Sequence, residues 1–322
     1  MLEFLKEAEL HSNESNLLIA MDLSVHSCNA VRYVTRNCSP AMVKVRLMHV
    51  MPTAPEIFWD LEKEAFFKEQ MKGKYAKWKR EAKKEAQAFL DDARNILLKA
   101  QVGKDSVDVM VQERKKGIAR DIIEEAKKGY DAVLVGRRGL SKLEDVFLGS
   151  VSNKIVEKVS NVPVWVVGGD IQSRKMLIAV DASDNSRKAV DYVGTFAAAT
   201  EAELTLYHVI RSLGIGILED FPRSKEEIKV FDEVLASHAQ DMFQAYQESL
   251  EKAGVLPARI STKYTRQSHT RAGEILREAK DGDYGTIVMG RRGLSKVHEF
   301  LMGRVTSKLL SRAEGFAVWI VP

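Results

Sequence analysis

Residues 132–152 read AVLVGRRGLSKLEDVFLGSVS, and residues 286–306 read TIVMGRRGLSKVHEFLMGRVT. Each stretch opens with an apolar run, passes through two glycines separated by two arginines, and reaches a third glycine ten positions later. A continuous apolar run is typical of a strand that is buried on both faces of a parallel sheet. Apolar residues at helical spacing follow the third glycine. The chain is therefore predicted to contain a strand, a glycine-rich loop and a helix at two places.

Three further segments recur in the same order. Leu17–Ser24 recurs as Met176–Ser183, Leu47–Val50 as Leu206–Val209, and Val164–Val167 as Val318–Val321. The copies lie 159 residues apart in the first half of the repeat and 154 apart in the second half. A period of this length is too long for a solenoid and predicts a duplicated domain. We expect an extension over residues 1–14, a first domain over 15–170 and a second over 171–322, with the junction near Gly168.

Strands and helices alternate within each copy, which indicates βαβ units with right-handed crossovers. The predicted fold class is α/β, with two tandem open parallel five-stranded sheets flanked by helices. In the first copy, strands are predicted at 17–21, 43–50, 107–111, 132–135 and 164–167, and helices at 28–36, about 60–101, 118–128 and 151–159. In the second copy, strands are predicted near 177–180, 204–209, 260–265, 286–289 and 318–321, with a long helix near 225–253.

Composition excludes several classes of protein. Of the 322 residues, 45% are hydrophobic, which is enough to form a core and argues against disorder. No run approaches the roughly 20 apolar residues of a membrane span. The net charge of +4 is too small for a surface that coats nucleic acid, and the basic run at 72–84 is interpreted as a solvated helix face. Residues 1–14 do not resemble a secretory signal, so a cytoplasmic location is expected.

The carboxyl ends of the strands are where an open α/β sheet binds ligands. Gly149 and Ser150 stand at the start of a predicted helix, whose free N–H groups and positive dipole end suit a phosphate. The hydroxyl of Ser150 or Ser152 can cap this helix or contact the anion. The alternative is a tight turn and a helix cap without any ligand. From the glycines alone, both interpretations remain open.

The combination of segments resembles the universal stress protein family. The resemblance rests on Gly-x2-Gly-x9-Gly-Ser after an apolar strand, on a first strand that ends in Asp22 with Ser24 two residues later, and on a second strand that ends in His49-Val50. It covers nearly the whole chain as two consecutive domains. It implies the adenine nucleotide alpha hydrolase-like fold of that family, with ATP as ligand and Mg²⁺ carried on the phosphates.

The resemblance also implies which residues contact the nucleotide. Aspartate would face the nucleoside, the strand-end valines would contact adenine, and the glycine loop would surround the ribose and phosphates. In the first copy these residues are Asp22, Val50, Val135, Gly136, Gly139, Gly149, Ser150 and Val151. In the second copy, which is less certain to bind, they are Asp181, Val209, Met289, Gly290, Gly293, Gly303, Arg304 and Val305.

The second copy departs from the pattern at one position. Arg304 stands where the first copy has Ser150. An arginine cannot supply a short capping hydroxyl, and its bulk could fill the phosphate position, although a guanidinium could also contact phosphates as a cation. We therefore expect weakened or altered nucleotide binding in the second copy.

Several enzyme signatures are absent from the sequence. It contains no phosphate-binding Gly-x4-Gly-Lys-Ser/Thr motif, no dinucleotide fingerprint, no Gly-x-Ser-x-Gly elbow and no His/Cys cluster at metal-ligand spacing. A nucleotide-dependent stress-response regulator or interaction module is expected, with at most slow ATP hydrolysis. Two alternatives remain: a scaffold that works without nucleotide, and a second domain that binds a different ligand, an apolar one included.

The remaining expectations concern assembly and individual side chains. Family domains pair through their last strand, which implies an internal pseudo-dimer through Val164–Val167 and Val318–Val321, and leaves a homodimer and regulatory protein partners open. Packing roles are expected for His49 and His208, and surface positions for the arginines between the glycines, with phosphate contact as the alternative. Cys28 and Cys38 are expected to be reduced thiols. Leu2–Glu9 is predicted to be a helix without an assigned role, and the core is predicted to include Phe58, Trp59, Phe66 and Phe67.

Overall fold

Strands and helices alternate along both halves of the chain in the computed structural model. The structure describes residues 14–53, 65–138, 148–210, 225–266, 270–293 and 302–322. The chain divides into two compact units, residues 1–162 and 163–322. The predicted helix Leu2–Glu9 and the four predicted core aromatics Phe58, Trp59, Phe66 and Phe67 lie outside the part whose side chains are described.

The first unit contains four strands and four α-helices among its described residues. They are β1 (Ser15–Ala20), α1 (Val25–Asn37), β2 (Val43–Met51), α2 (Ala65–Lys99), β3 (Val107–Glu113), α3 (Ile118–Ala126), β4 (Ala132–Gly136) and α4 (Ser150–Lys158). The strands form a parallel sheet in the order β3-β2-β1-β4. Leu17, Leu18 and Ile19 in the central strand β1 have no exposed surface. This two-sided burial is what the continuous apolar runs predict.

The second unit contains six strands and four α-helices among its described residues. They are β5 (Val164–Val167), β6 (Met176–Ala179), α5 (Asp184–Ala197), β7 (Leu204–Ile210), α6 (Lys225–Lys252), β8 (Ile260–Arg266), α7 (Arg271–Asp281), β9 (Thr286–Gly290), α8 (Arg304–Arg312) and β10 (Ala317–Val321). The strand order is β5-β10-β9-β6-β7-β8, parallel except between β5 and β10. The predicted α/β class with parallel strands is confirmed.

Strand β5 is the fifth strand of the first sequence copy, but it belongs to the second compact unit. It pairs antiparallel with β10, and Trp165 lies opposite Trp319 in the register. The two indole rings stack with centroids 3.9 Å apart and planes 3° from parallel. Phe196 and Tyr192 of α5 pack edge-on against them. Both indoles are buried, so this aromatic cluster forms a core around β5 and β10.

The long helices α2 and α6 bury equivalent faces. The buried positions in α2 are Ala86, Leu90, Ala93 and Leu97, and those in α6 are Ala239, Phe243, Tyr246 and Leu250. Both sets follow the spacing of four, three and four residues that aligns side chains on one helix face. The basic run lies in the part of α2 that precedes these buried positions in sequence. Lys74, Lys77 and Arg80 are exposed there. In its described part, that run is a solvated helix face, as interpreted from the sequence.

Candidate functional site

The residues predicted for the first copy stand at the carboxyl ends of neighbouring strands. Asp22 follows β1, Val50 lies near the end of β2, and Val135 and Gly136 end β4. Because these strands are adjacent and parallel, their carboxyl ends meet at one edge of the sheet. Gly139 lies outside the described residues.

The third glycine of each loop returns to the end of the strand before it. The N–H of Gly149 donates a hydrogen bond to the carbonyl oxygen of Arg137 at 2.9 Å, and Gly303 donates to Arg291 at 3.0 Å. One helical turn later, Ser152 Oγ donates to the carbonyl oxygen of Gly136 at 2.7 Å. Thr306 Oγ1 makes the equivalent bond in the second unit at 3.3 Å. The hydroxyl of Ser152 therefore holds α4 against β4.

The helices around each site differ in how they begin. Ser24 caps α1 by accepting from the N–H of Ser27, and Ser183 caps α5 by accepting from Ser186, both at 3.2 Å. In contrast, α4 and α8 begin after Gly149 and Gly303, and no described side chain caps either one. The first N–H groups and positive dipole ends of α4 and α8 are therefore the ones suited to an anion.

An aspartate follows the first strand of each sequence copy. Asp22 Oδ1 accepts hydrogen bonds from the N–H of Ser24 at 3.1 Å and from its hydroxyl at 2.6 Å. Asp181 Oδ1 accepts from the N–H of Ser183 at 3.1 Å and from Ser186 Oγ at 2.8 Å. Its other oxygen, Oδ2, would lie 2.5 Å from a Cβ atom placed on Gly293. The second unit thus brings its predicted aspartate and its second motif glycine into direct proximity.

The histidine on the second strand of each copy contacts the backbone directly after the first strand. His49 Nδ1 lies 2.7 Å from the carbonyl oxygen of Met21, and His208 Nδ1 lies 2.8 Å from that of Val180. A carbonyl can only accept, so Nδ1 carries the proton in both rings. Burial lowers the pKa of His49, which keeps the ring neutral near pH 7. These contacts fit the packing role expected from the sequence.

The predicted surface position of the motif arginines is wrong for the first arginine of each pair. Arg137 is only 3% exposed and Arg291 only 5%. The N–H of Arg291 donates to the carbonyl oxygen of Val321 at 2.6 Å, so its backbone continues the pairing of β9 with β10. Side chains alternate along an extended segment, and the next residue, Arg292, lines a cavity instead.

That cavity lies in the second unit and has a volume of about 950 Å³. Its size is in the range of small-molecule sites, which extends to about 1,000 Å³. All eight residues predicted for the second copy line it: Asp181, Val209, Met289, Gly290, Gly293, Gly303, Arg304 and Val305. The structure therefore brings together every predicted residue of this site, although the sequence favoured the first copy.

Four cationic side chains line the same cavity among the described residues: Arg271, Arg292, Arg304 and Lys308. Asp181 is the only carboxylate in its described lining. This excess of positive charge favours an anionic ligand. Arg271 and Lys308 were not predicted from the sequence because neither lies in the segments that carry the resemblance.

The long helix α6 supplies a further part of the cavity that the sequence did not indicate. Leu235, His238, Ala239 and Met242 line it from this side. Tyr246, one turn further along, donates a hydrogen bond to the backbone oxygen of Asp181 at 2.8 Å. Burial raises the pKa of Tyr246 to about 12, so the phenol keeps its proton. The first copy has Ala93 at the equivalent helix position, and alanine has no hydroxyl that could donate this hydrogen bond.

In both copies the first motif glycine packs against a helix, but the space available for an added Cβ atom differs. A Cβ on Gly290 would lie 2.8 Å from backbone and Cβ atoms of Asn185, whereas one on Gly136 would lie 3.2 Å from the carbonyl oxygen of His26. We expect Gly290→Ala to lower the free energy of unfolding by about 2 kcal/mol and Gly136→Ala by less than about 1 kcal/mol. Chemical denaturation of both variants measures this, and equal losses would contradict the packing difference.

Two searches of the described residues give negative findings. None of the described helices is long and apolar enough to cross a membrane. The described His, Cys, Asp and Glu side chains include no group of three or more that could hold a metal ion. Cys28 is half-buried and Cys38 is buried, and both are free thiols.

Comparison with known proteins gives consistent matches. A model of the Universal stress protein family matches residues 15–168 and 172–322. A universal stress protein of Mycolicibacterium smegmatis is 26% identical over 309 residues, covering 94% of this chain and 95% of that relative. Universal stress protein YxiE of Bacillus subtilis is 31% identical over 137 residues, covering 42% of this chain and 90% of that relative.

Among solved structures, a universal stress protein of Archaeoglobus fulgidus is similar over almost its whole length. The TM-score is 0.60 at 20% sequence identity, and the match covers 97% of this chain and 99% of that one. At this identity, the likeness establishes the fold alone.

Proposed function

The chain belongs to the universal stress protein family, and we propose that each of its two domains binds an adenine nucleotide, ATP in particular, at the carboxyl end of its parallel strands. The observation that carries this proposal is the convergence of all eight predicted second-copy residues on one cavity rich in positive charge. A chance grouping of residues from four separate chain segments is a poor explanation for that convergence.

The parts of the cavity suit different parts of a nucleotide. Val209 and Met289 are buried strand-end residues that offer an apolar wall and backbone groups to adenine. Asp181 stands where it can meet the nucleoside. Gly293 and Gly303 leave room for close approach to the backbone, and the uncapped start of α8 offers N–H groups to the phosphates.

In the first copy, the same roles fall to residues at equivalent places. Asp22 would face the nucleoside, Val50 and Val135 the adenine, and Gly149 and Ser150 the phosphates. The start of α4 lacks a capping side chain among the described residues, as does that of α8, which supports a phosphate position there too. Ser150 is exposed, and its hydroxyl can donate to an anion.

We further propose that the bound nucleotide regulates contacts with partner proteins in the cytoplasm. Ligand binding would stabilise the folded state by mass action and restrict the glycine loops. Mg²⁺ would be carried by the phosphates, because Asp181 is the one carboxylate in the described lining and already accepts two hydrogen bonds through Oδ1. ATP hydrolysis, if it occurs, would be slow, as expected from the sequence.

Calorimetric titration of the full chain with Mg-ATP tests the proposal, together with mass spectrometry of small molecules released from the purified protein. The expected result is up to two bound equivalents of adenine nucleotide per chain. If no nucleotide is released and no heat of binding is measured, the proposal fails and a nucleotide-independent scaffold is the better reading. Release of an apolar molecule would favour the other alternative, for which Leu235 and Met242 on the cavity wall would be the contacts.

A further inference from the structure

We propose that the second domain discriminates among nucleotides by their number of phosphates, through Arg271 and Arg304. This inference rests on the proposed nucleotide binding and concerns which nucleotide that cavity prefers. It reverses the expectation that Arg304 weakens the site, and it follows from a comparison of the two copies at matching helix positions.

The first residues of two helices differ between the copies in the same way. Helix α7 begins with Arg271 and α8 with Arg304, whereas α3 begins with Ile118 and α4 with Ser150. Arg271 and Arg304 both line the cavity. The second copy therefore carries two positive charges at its site that the first copy lacks.

The other two cationic side chains of the cavity are shared by both copies. Arg292 follows the first motif glycine by two residues, as Arg138 does, and Lys308 is the fifth residue of its helix, as Lys154 is. Of the four cationic residues that line the cavity, only the two at first helical positions have no counterpart in the first copy. These are the positions nearest the helix ends where a phosphate would bind.

A cation is an unfavourable choice for the first residue of a helix. The helix dipole places partial positive charge there, so a positive side chain is repelled and a negative one attracted. A bound anion beside Arg271 and Arg304 would reverse this, because its charge attracts both guanidiniums and the uncapped start of α8. Each added phosphate then contributes more binding free energy in the second domain than in the first, where the corresponding residues, Ile118 and Ser150, are neutral.

The two carboxylates described near this region make hydrogen bonds of their own. Asp181 uses Oδ1 for Ser183 and Ser186. Glu274, in the first turn of α7, is buried and accepts from Arg277 at 2.7 Å. The described lining of the cavity contains four cationic side chains and one carboxylate. This balance favours a triphosphate over a diphosphate, and a diphosphate over a monophosphate.

The test exchanges the two arginines for the residues that the first copy has. AMP, ADP and ATP are titrated calorimetrically into full-length chains that all carry Gly149→Asp, so that only the second domain binds. The double variant Arg271→Ile/Arg304→Ser is compared with the chain that keeps both arginines. Because the first copy folds with isoleucine and serine at these helix positions, both substitutions suit the local backbone.

We expect the ratio of ATP to AMP affinity to fall at least roughly tenfold in the double variant, with AMP affinity changed less than about threefold. The control is Arg312→Ser, which removes one charge at the exposed far end of α8 and should leave the ratio unchanged. An unchanged ratio in the double variant would overturn the inference. Absence of binding by any of the three nucleotides, including in chains without Gly149→Asp, would instead overturn the proposed function and this inference with it.

Discussion

Replacing Gly303 by aspartate is expected to weaken nucleotide binding by the second domain roughly a hundredfold while leaving its fold intact. Gly303 is the N-cap of α8 and has an extended backbone, with φ −60° and ψ 147°. Aspartate is a favourable N-cap residue and would accept from the helix N–H groups that the phosphates need. It would also place a negative charge at the phosphate position.

The variant Gly303→Asn separates charge from shape. A Cβ at this position would lie 3.3 Å from the carbonyl oxygen of Arg291, so both side chains need the same small adjustment. The free energy of unfolding should change by less than about 1 kcal/mol in either variant. Calorimetry should find much weaker Mg-ATP binding for aspartate than for asparagine. Equal affinities would mean that the phosphates do not lie at the start of α8.

Replacing Trp319 by alanine is expected to cost about 3–5 kcal/mol of folding free energy, the largest loss we predict for a single side chain. Trp319 is 1% exposed and stacks on Trp165 at 3.9 Å. Alanine would leave a cavity bordered by Trp165, Tyr192 and Phe196, which are fixed to β5 and α5. Relaxation into that space would break the remaining edge-on ring contacts.

Hydrogen exchange of the β9 and β10 amides, followed with denaturant unfolding, measures this loss. Trp78→Ala is the matched control, because Trp78 on α2 is half-buried and stacks on Tyr75. Its removal should cost less than about 1 kcal/mol. Similar losses for the two tryptophans would show that the stacked pair is not the core of the second unit.

Much of the fold could be predicted because the two copies of the repeat can be compared within one chain. Leu17–Met21 and Met176–Val180 are apolar in both copies, and each is followed by an aspartate and a serine. Burial on both faces demands such runs, so β1 and β6 were recognisable from either copy. The helices after Gly149 and Gly303 were also predicted from both copies, but the sequence did not show that α4 begins without a cap, since Ser152 donates to Gly136 instead.

The misjudged and missed residues depend on tertiary contacts that leave no local pattern. Arg137 and Arg291 are buried, although arginine is usually exposed. The backbone of Arg291 continues the pairing of β9 with β10, and that of Arg137 accepts from Gly149. Arg271 lines the cavity from α7, and Tyr246 of α6 donates a hydrogen bond to the backbone oxygen of Asp181. Neither residue recurs in the first copy, so the repeat could not reveal them.

Strand β5 has a consequence for how this gene can be divided. The duplicated unit of sequence ends after β5, whereas the compact unit that contains β5 begins at residue 163. A gene cut at residue 171 would separate β10 from its antiparallel partner and leave a bare, apolar strand edge, which invites aggregation. A cut before Pro163 would keep that edge covered. The ancestral copying event and the present folding units therefore have different borders, one strand apart.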